Sequence, residues 1–293
     1  MPMYIGRFAP TPSGPLHFGS LCTAVGSYLR ARSMRGRWLL RIEDLDLPRC
    51  SRDACDSILR TLEAYGLEYD QETVYQSGRQ ELYRHTLEEL KKKGLIYPCG
   101  CSRSRLKTLG GLYDGLCRSG LTADAGQRTS LRFRNPGVIT EFDDRLRGKI
   151  ATPARESSDD FILRRSDGII AYNLAVVADD WDQGVTEIVR GADLLDVTTR
   201  QLNLIVSLGY RAPAYLHLPL ILSDNRQKLS KQNHAKAVVA DQASEMTFLA
   251  MECLGQRPPG ELRGASPGEL LAYGISHFRA ESIPLENKTL SGI

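Results

Sequence analysis

The sequence predicts an α/β protein with a parallel β-sheet, and two sets of segments indicate this fold class. "MYIGRF" and "RWLLRIEDL" are short apolar runs typical of strands, and the segment between them carries apolar residues at helical spacing. Strand, helix and strand within about forty residues form a βαβ unit, whose crossover implies a parallel pair. Later in the chain, "GVTEIVRG", the helical "TTRQLNLIVSLG" and the strand-like "HLPLILSD" provide further elements of both kinds.

Length and composition exclude several classes of protein. The 293 residues are 42% hydrophobic and 25% charged, as in a soluble globular protein of one large domain or two. No apolar run approaches the ~18 residues of a membrane helix, and the N-terminus lacks the features of a signal peptide. We therefore expect a cytoplasmic protein with no membrane partner. A monomer is the expected state, although no sequence pattern indicates it. Seven cysteines in a reducing compartment are read as thiols or metal ligands.

The first strand leads into a loop that is stiffened by three prolines, "APTPSGPLHFGSL". Gly14 allows a positive φ in this loop. The apolar pattern from Leu16 onward predicts a helix whose N-terminus lies at His17. Such a terminus presents unpaired N–H groups and the positive end of the helix dipole, which suit a phosphate. The alternative is a Pro-rich turn in which His17 merely caps the helix.

Two more helices are predicted after the second strand. "SRDACDSILRTLEAYG" ends at Gly66, and "SGRQELYRHTLEELKKKG" begins with Ser77 and Gln80 in capping-box spacing. The chain then becomes rich in Cys, Gly and Arg, which indicates an inserted element. "SLRFRN", "FILRRSDGIIAYNLAVVADD" and "GVTEIVRG" are interpreted as strands and turns.

The inserted region is the basic part of the chain. Residues 102–165 contain 13 Lys/Arg and 8 Asp/Glu, whereas the whole chain has a net charge of only +3. A local excess of this kind is expected where a protein faces a polyanion. A solvated basic surface explains the charge equally well.

Three cysteines of the insert form a candidate metal site. Cys99, Cys101 and Cys117 lie within nineteen residues, with glycines around them. Structural zinc takes four ligands, so Tyr113, Asp114 or water would be the fourth. The alternative is three free thiols. The other cysteines are interpreted as packing or surface residues: Cys22, Cys50, Cys55 and Cys253.

Several motifs together resemble one enzyme family. Residues 8–20 and the loop "KLSKQ" at 228–232 resemble the two ATP-binding motifs of class I aminoacyl-tRNA synthetases. Between them, "RIEDLD", "YNLAVVADD", "EIVRGADLL" and "LHLPLIL" resemble the glutamyl branch of that class, so the likeness runs from about residue 4 to 234. Two positions depart from the class pattern: Ser20 replaces the second histidine of H-x-G-H, and Gln232 replaces a serine.

The resemblance implies a domain organisation. Residues 1–96 and 174–234 would form a Rossmann-like catalytic domain in two halves, and 97–173 an inserted domain similar to an acceptor-binding domain. In that insert the resemblance favours Tyr113 as the fourth ligand of one structural Zn²⁺. Residues 235–293 would form a helical extension, with no anticodon-binding domain.

The resemblance also implies a reaction. The α-carboxylate of L-glutamate attacks the α-phosphorus of ATP, which binds with Mg²⁺, and the glutamyl group then passes to an RNA hydroxyl. Positioning and positive charge promote such a step, so His17 and Lys231 are the expected catalytic residues. The expected ATP-binding residues are Pro12, His17, Gly19, Ser20, Lys228, Ser230 and Lys231.

A glutamate pocket must bind two carboxylates and one ammonium group. Arginine forks suit the carboxylates, and a carboxylate suits the ammonium. The resemblance and the strand ends give the expected set Arg7, Ala9, Thr11, Glu43, Tyr172 and Arg190. Alternatives are surface ion pairs for either arginine, and a solvated loop or a Mg²⁺ site for Glu43, Asp44 and Asp46.

The expected acceptor follows from the short C-terminal part, since 61 residues follow Gln232. Short members of the glutamyl branch place glutamate on queuosine, the modified wobble base of tRNA(Asp), and this chain resembles them. The expected partners are thus ATP, L-glutamate and queuosine-containing tRNA(Asp). The alternatives are a truncated ordinary glutamyl-tRNA synthetase, a small-molecule adenylylating enzyme that uses no RNA, and a non-catalytic glutamate- or tRNA-binding module.

Overall fold

The first βαβ unit forms as the sequence predicts. The computed structural model describes residues 3–46, 50–120, 128–225, 229 and 236–290. In it, β1 (Ile5–Phe8) pairs in parallel with β2 (Arg37–Ile42), and α1 (Phe18–Ser33) makes the crossover. A short β3 (Val74–Tyr75) adds to β2, also in parallel.

A second group of strands forms around the later βαβ unit. β9 (Glu187–Gly191) and β10 (Ala214–Leu218) are parallel neighbours joined through α7 (Leu195–Leu208). β6 (Glu141–Asp144) pairs in parallel with the other side of β10, and β7 (Gly148–Ala151) pairs antiparallel with β6.

The two strand groups meet between β1 and the residue that precedes β9. The Thr186 amide donates to the Ile5 carbonyl, and the Ile5 amide donates to the Thr186 hydroxyl, both at 2.9 Å. Among the described strands the resulting order is β3-β2-β1, then β9-β10-β6-β7. Chain connections diverge where β1 and β9 meet, and α/β sheets bind ligands outside the carboxyl ends of strands at such a point.

Two hydrophobic cores lie against these strands. In the first, α1 packs against the strands and against α8 (Ala243–Cys253) and α9 (Pro267–His277). Close packing requires a small residue within α1, because a Cβ on Gly26 would come 2.8 Å from a methyl carbon of Leu218. The second core joins α3 (Gln80–Lys92) and α6 (Tyr172–Asp182) to α7.

The second core also packs on a small antiparallel sheet, which the sequence indicates only as scattered strands. Its order is β4 (Ile96–Cys99), β5 (Ser130–Phe133) and β8 (Ile162–Arg164). The remaining elements are α2 (Arg52–Ala64), α4 (Arg103–Thr108), α5 (Ala154–Ser157), β11 (Ile221–Leu222) and β12 (Lys288–Thr289). None of the helices in the described ranges is both long enough and apolar enough to cross a membrane.

The structure differs from the sequence-based expectations in two helices. The stretch "YNLAVVADD", interpreted as strand and turn, forms the first part of α6. The sequence does not indicate this helix, because residues 174–180 are all buried and the amphipathic pattern of a surface helix is missing. The predicted capping box at Ser77 is wrong, because α3 begins at Gln80 after a 3₁₀ turn. The amide and hydroxyl of Ser77 instead donate to the carboxylate of Asp44, at 2.8 and 2.6 Å.

Strand pairing links the regions 97–173 and 235–293 to strands of the second half, 174–234, of the predicted catalytic domain. β6 and β7 lie within 97–173 in sequence, yet they pair with the β10 side of the larger sheet. The C-terminal part contributes two helices and also β12, which pairs in parallel with β11. β11 ends at Leu222, shortly before the "KLSKQ" loop in sequence, so β12 pairs with a strand that precedes that loop.

Candidate active site and metal cluster

A cavity of about 510 Å³ opens at the carboxyl ends of the strands, where β1 meets β9. Most of its lining comes from four places in the fold: the end of β1 and the loop after it, the first turn of α1, the end of β9 with the turn that follows, and the segment after β10. Glu43 after β2, Tyr172 at the start of α6 and Leu229 complete it. The full set is Arg7–Thr11, Ser13, Leu16, His17, Gly19, Ser20, Thr23, Glu43, Tyr172, Val189–Gly191, Asp193, Leu194, Pro219–Ile221 and Leu229.

His17 lies at the N-terminus of α1 in the wall of this cavity. It is the N-cap residue, and its Nδ1 accepts a hydrogen bond from the Ser20 amide at 3.2 Å. An Nδ1 that accepts leaves the hydrogen on Nε2, which lies 3.0 Å from the Ser20 hydroxyl. His17 therefore caps α1, which was the alternative to a phosphate-binding role. A cap at this position is compatible with phosphate binding at the same helix N-terminus.

Glycine and the returning chain shape the space beside His17. A Cβ on Gly19 would lie 3.2 Å from the His17 ring and 3.7 Å from the Leu229 carbonyl. Leu229 donates its amide to Ile221, and Ala237 forms an isolated β-bridge with His17. Leu229, within the "KLSKQ" loop, and Ala237, which follows the loop, thus lie close to the first turn of α1.

Arg7 lies in the cavity wall and forms a buried ion pair. Its Nε and Nη2 donate to the two carboxylate oxygens of Asp180 on α6, at 3.1 and 3.4 Å. Arg41 donates to the same carboxylate at 2.8 Å. Burial acts to raise the pKa of Asp180, but Arg41 and Arg7 outweigh it and hold that pKa below its ordinary value. An ionised Asp180 therefore orients Arg7 toward the ligand space.

Arg190 is equally buried but has different neighbours. Both arginines are only 4% exposed. The guanidinium of Arg190 donates to four acceptors, all of them uncharged: Gln201 Oε1 and Thr198 Oγ1 at 2.8 Å, His217 Nε2 at 3.0 Å and the Leu194 carbonyl at 3.4 Å. Within the described residues no carboxylate forms an ion pair with Arg190. Its positive charge at the cavity wall is consequently not neutralised by a direct partner.

Glu43 supplies the opposite charge. It follows β2 directly, and its amide donates to the Pro10 carbonyl at 3.0 Å. Burial raises the pKa of Glu43 to about 7, although Arg41 and Arg7 act to lower it. Burial and the charge of Glu43 raise the pKa of the Tyr172 hydroxyl, whereas Arg190 and Arg7 act to lower it. The cavity therefore combines two guanidinium groups, a carboxylate that is easily ionised near neutral pH, and a helix N-terminus.

The three cysteines of the insert also come together. The sulfur atoms of Cys99, Cys101 and Cys117 lie within 4.8 Å of one another, with 3.7 Å between Cys101 and Cys117. The Tyr113 hydroxyl oxygen lies 3.6 Å from the Cys99 sulfur and 3.8 Å from the Cys101 sulfur. A tetrahedral zinc with bonds of about 2.3 Å to sulfur requires edges of about 3.8 Å, so these four side chains fit such an ion.

The neighbours of the cluster bear on the choice of fourth ligand. The carboxylate of Asp114 points to Arg105, which it pairs with at 2.5 Å. Tyr113 is held by its amide, which donates to Asp159 at 2.8 Å, and by the Arg132 guanidinium, 3.8 Å above its ring. Tyr113 is thus oriented toward the sulfurs, whereas Asp114 is engaged elsewhere.

Comparison with known proteins gives the family. Residues 5–256 match the family model described as tRNA synthetases class I (E and Q), catalytic domain. The chain belongs to the class I tRNA synthetase family, in its E and Q branch. This confirms the family and enzyme class expected from the sequence motifs, and with them the α/β fold with a parallel sheet.

Two relatives of this class I synthetase are similar over nearly the whole chain. It is 50% identical over 281 residues to the glutamyl-Q tRNA(Asp) synthetase of Salmonella paratyphi A, covering 96% of this chain and 94% of that one. It is 48% identical to the protein of the same name from Photobacterium profundum, covering 96% and 90%.

Solved structures share the fold. The glutamate-tRNA synthetase of Elizabethkingia anophelis superposes with a TM-score of 0.78 at 23% identity, over 99% of this chain and 68% of that one. The glutamate tRNA ligase of Elizabethkingia meningosepticum, solved with its amino acid, gives 0.79 at 23% identity, over 98% and 66%.

The cavity of this class I synthetase brings together most of the residues predicted for ligand binding. All six expected glutamate-binding residues line it: Arg7, Ala9, Thr11, Glu43, Tyr172 and Arg190. His17, Gly19 and Ser20 of the expected ATP site line it as well. Pro12 does not, and its carbonyl accepts a hydrogen bond from the Ser51 amide. Lys228, Ser230 and Lys231 lie outside the described residues.

The sequence patterns do not indicate several residues that lie at the cavity of this class I synthetase or behind its wall. Asp193 adds a carboxylate to the wall, and Gly191 leaves room for it, because a Cβ there would lie 2.5 Å from Asp193 Oδ1. An acidic residue three positions after Arg190 was the available signal. His217 and Asp144 contact each other behind Arg190 at 2.7 Å, but they are 73 residues apart and no local pattern joins them.

Proposed function

We propose that the chain activates L-glutamate with ATP and transfers the glutamyl group to the queuosine at the wobble position of tRNA(Asp). The observation that carries this proposal is the pairing of two buried guanidinium groups, Arg7 and Arg190, with Glu43 in one cavity beside the N-terminus of α1. A ligand with two carboxylates and one ammonium group complements that arrangement. The names of the two relatives at 48–50% identity support the same acceptor.

In the first step the α-carboxylate of glutamate attacks the α-phosphorus of ATP. A new O–P bond forms, the bond to the bridging oxygen breaks, and pyrophosphate leaves. In the second step a hydroxyl of the queuosine cyclopentene diol attacks the glutamyl carbonyl, and AMP leaves. Neither step needs a protein nucleophile, so the residues act by positioning and by stabilising charge.

The glutamate roles follow from charge. Arg7 and Arg190 would each take a carboxylate, and Glu43 would accept from the ammonium group. Ala9 and Thr11, in the loop after β1, and Tyr172, at the start of α6, would complete the pocket walls. A carboxylate ligand also lowers the cost of keeping the Arg190 charge buried.

The ATP roles centre on the start of α1. Its free N–H groups and dipole favour the phosphates, and Gly19 and Ser20 allow a close approach. The His17 Nε2–H would stabilise negative charge at the α-phosphorus. Pro12 would keep the loop rigid. Lys228, Ser230 and Lys231 remain proposed ligands of ATP on sequence grounds, with Lys231 as the second catalytic residue. ATP would bind with Mg²⁺.

The insert would hold a structural zinc and contact RNA. The cluster geometry supports Cys99, Cys101, Tyr113 and Cys117 as its ligands, and bound zinc would fix the fold of the loop they span. Next to the cluster, α4 carries the basic residues Arg103, Arg105 and Lys107. We retain the three-part domain division as a proposal, with 141–151 assigned to the catalytic sheet on the basis of strand pairing.

Transfer of labelled glutamate to tRNA(Asp) with and without queuosine tests the proposal. We expect labelling only of the queuosine-containing tRNA(Asp), and none of tRNA(Glu). A queuosine presents its diol on an unpaired anticodon loop, where bases are accessible to proteins. Periodate treatment of the tRNA before charging should abolish labelling, because it destroys the diol.

A trimmed RNA provides the control, since periodate also destroys a 3′-terminal diol. Queuosine-containing tRNA(Asp) that lacks its 3′ adenosine should still accept glutamate. If the intact tRNA is labelled but the trimmed RNA is not, the acceptor is the 3′ end, as for an ordinary glutamyl-tRNA synthetase. If glutamate-dependent ATP–pyrophosphate exchange is also absent, activation itself is contradicted.

A further inference from the structure

Arg190 and His217 lie directly opposite each other on the neighbouring parallel strands β9 and β10. Arg190 Nε donates to His217 Nε2 at 3.0 Å. An arginine can only donate, so Nε2 must offer its lone pair, and the imidazole hydrogen must lie on Nδ1. Nδ1 faces Asp144 Oδ2 at 2.7 Å and donates to it. The contacts thus define a neutral histidine in one tautomer.

Asp144 is firmly held behind His217. Its Oδ1 accepts the amides of Leu146 and Arg147, at 3.0 and 2.9 Å, and its Oδ2 also accepts the His217 amide at 3.0 Å. The side chains of Asp144 and His217 are both fully buried. Burial lowers the pKa of His217, and the nearby Arg190 and Arg147 act in the same direction against Asp144, which supports the neutral form.

We propose that Asp144 and His217 are positioning residues that make the pocket selective for a carboxylate. Asp144 fixes the tautomer and the plane of the imidazole, and the imidazole fixes the guanidinium of Arg190. Because the residue in contact is a neutral ring, Arg190 is oriented without being neutralised. A carboxylate in the place of His217 would orient Arg190 equally well, but it would neutralise the positive charge that binds the carboxylate of the ligand.

The two arginines of the cavity illustrate this difference. Arg7 is oriented by a direct carboxylate, Asp180, so its charge is compensated within the protein. Arg190 has five N–H groups, and its four hydrogen bonds to uncharged acceptors leave one N–H of Nη1 for a ligand. A ligand carboxylate meets an uncompensated positive charge there, whereas the neutral amide of glutamine gains far less. Glutamate and glutamine share the α-carboxylate and differ only at the side-chain end. We therefore assign the γ-carboxylate to Arg190, which makes Arg190 the site at which glutamate is distinguished from glutamine.

This inference rests on the proposed function, and glutamate-dependent ATP–pyrophosphate exchange tests it in the full chain without RNA. His217→Leu removes both ring hydrogen bonds and should raise the KM for glutamate about ten- to a hundredfold, as for loss of a hydrogen bond to a charged group. The KM for ATP should stay unchanged, and the preference for glutamate over glutamine should fall. Asp144→Asn, which removes the carboxylate that keeps the hydrogen on Nδ1, should act in the same direction.

Two variants separate positioning from packing. His217→Gln can accept from Arg190 through Oε1 and donate to Asp144 through Nε2, so its KM for glutamate should return to within about threefold of the parent. Tyr215→Phe is the matched control on β10. In the described part of the chain the Tyr215 hydroxyl is buried without a hydrogen-bond partner, and the ring that faces Arg190 is retained. Its kinetics should equal those of the parent.

The outcomes distinguish the two proposals. If the parent shows no glutamate-dependent exchange, the proposed function is contradicted, and this inference with it. If the parent exchanges but His217→Leu has the parent KM for glutamate, the positioning role alone is overturned. An equal defect in His217→Gln and His217→Leu would also overturn it, because the loss would then follow from the shape of the ring and not from its hydrogen bonds.

Discussion

The guanidinium of Arg7 and the carboxylate of Asp180 form a two-pronged ion pair between β1 and α6, with Nε–Oδ1 at 3.1 Å and Nη2–Oδ2 at 3.4 Å. Arg41 shares the same carboxylate. A single acidic side chain thus orients a proposed ligand-binding arginine and compensates a fully buried one. Both the stability of the fold and the shape of the pocket depend on it.

Asp180→Asn should lower the free energy of unfolding by about 3–5 kcal/mol, because it removes the carboxylate that pairs with buried Arg7 and one of those that pair with buried Arg41. Urea unfolding at neutral pH measures this. Asp180 has a lowered pKa in the folded protein. The stability it contributes is therefore present above the ordinary carboxyl pKa of about 4 and is lost as pH falls through the folded-state value.

Glu245→Gln is the control for this variant. Glu245 pairs with Arg263 at 2.9 Å, but both side chains are about half exposed. Its loss should cost less than about 1 kcal/mol. Equal costs for the two variants would contradict the structural role assigned to Asp180.

His17→Ala should reduce glutamate-dependent ATP–pyrophosphate exchange by about 10²-fold or more, because it removes the N–H that we propose stabilises negative charge at the α-phosphorus. It should also cost about 1 kcal/mol of stability, since His17 caps α1. Ser266→Ala is the matched control, because Ser266 caps α9 in a capping box that is not part of the cavity. It should lose similar stability and keep full exchange. An equal loss of exchange in both would assign His17 a capping role only.

The pH dependence of glutamate use should report Glu43. Its pKa is raised to about 7, and only the ionised form can bind the substrate ammonium group. We expect kcat/KM for glutamate to rise with pH up to about 7, by up to tenfold per unit on the acid side, and then to level off. Glu43→Gln should lower the values and flatten this rise. The KM for ATP, measured over the same pH range, should stay constant.

The pH dependence of the free energy of unfolding provides an independent test of the raised pKa of Glu43. A carboxyl whose folded pKa exceeds its unfolded value of 4.5 binds more protons in the folded state over that interval. Its contribution to stability therefore falls as pH rises from about 4.5 to 7. Glu43→Gln should remove this decline, as measured by urea unfolding at several pH values. If parent and variant lose stability in parallel, Glu43 does not titrate in this range.

The sequence predicts the parts of this site that follow local patterns. Arg7 and Glu43 could be placed because each stands at or after the end of an apolar strand, and His17 because it precedes a helical pattern. α6 was misassigned because its residues 174–180 are all buried, which removes the polar face that marks a helix. The contact between Ser77 and Asp44, and that between Asp144 and His217, join remote segments. Tertiary packing determines them, so no local pattern could predict them.

The metal cluster gives the last prediction. The purified, reduced protein should contain one zinc per chain, because the donor atoms of Cys99, Cys101, Cys117 and Tyr113 have the spacing of a tetrahedral site. Cys101→Ser should lose the metal by elemental analysis but keep the α/β core folded, since the cluster packs as a small group of its own. Cys55→Ser, at a cysteine outside the cluster, should retain zinc.

Loss of zinc should affect the two proposed half-reactions differently. Glutamate-dependent exchange should persist in Cys101→Ser, because the cysteines do not line the cavity at the strand ends. Transfer of glutamate to RNA should fall, because α4, whose three basic residues we propose contact RNA, begins two positions after Cys101, and Arg105 contacts the Cys101 sulfur at 3.5 Å. Tyr113→Phe should weaken zinc binding while it keeps the ring under Arg132. Reduced parent protein without zinc would contradict the site, and equal losses of exchange and transfer would contradict the role of the insert in RNA binding.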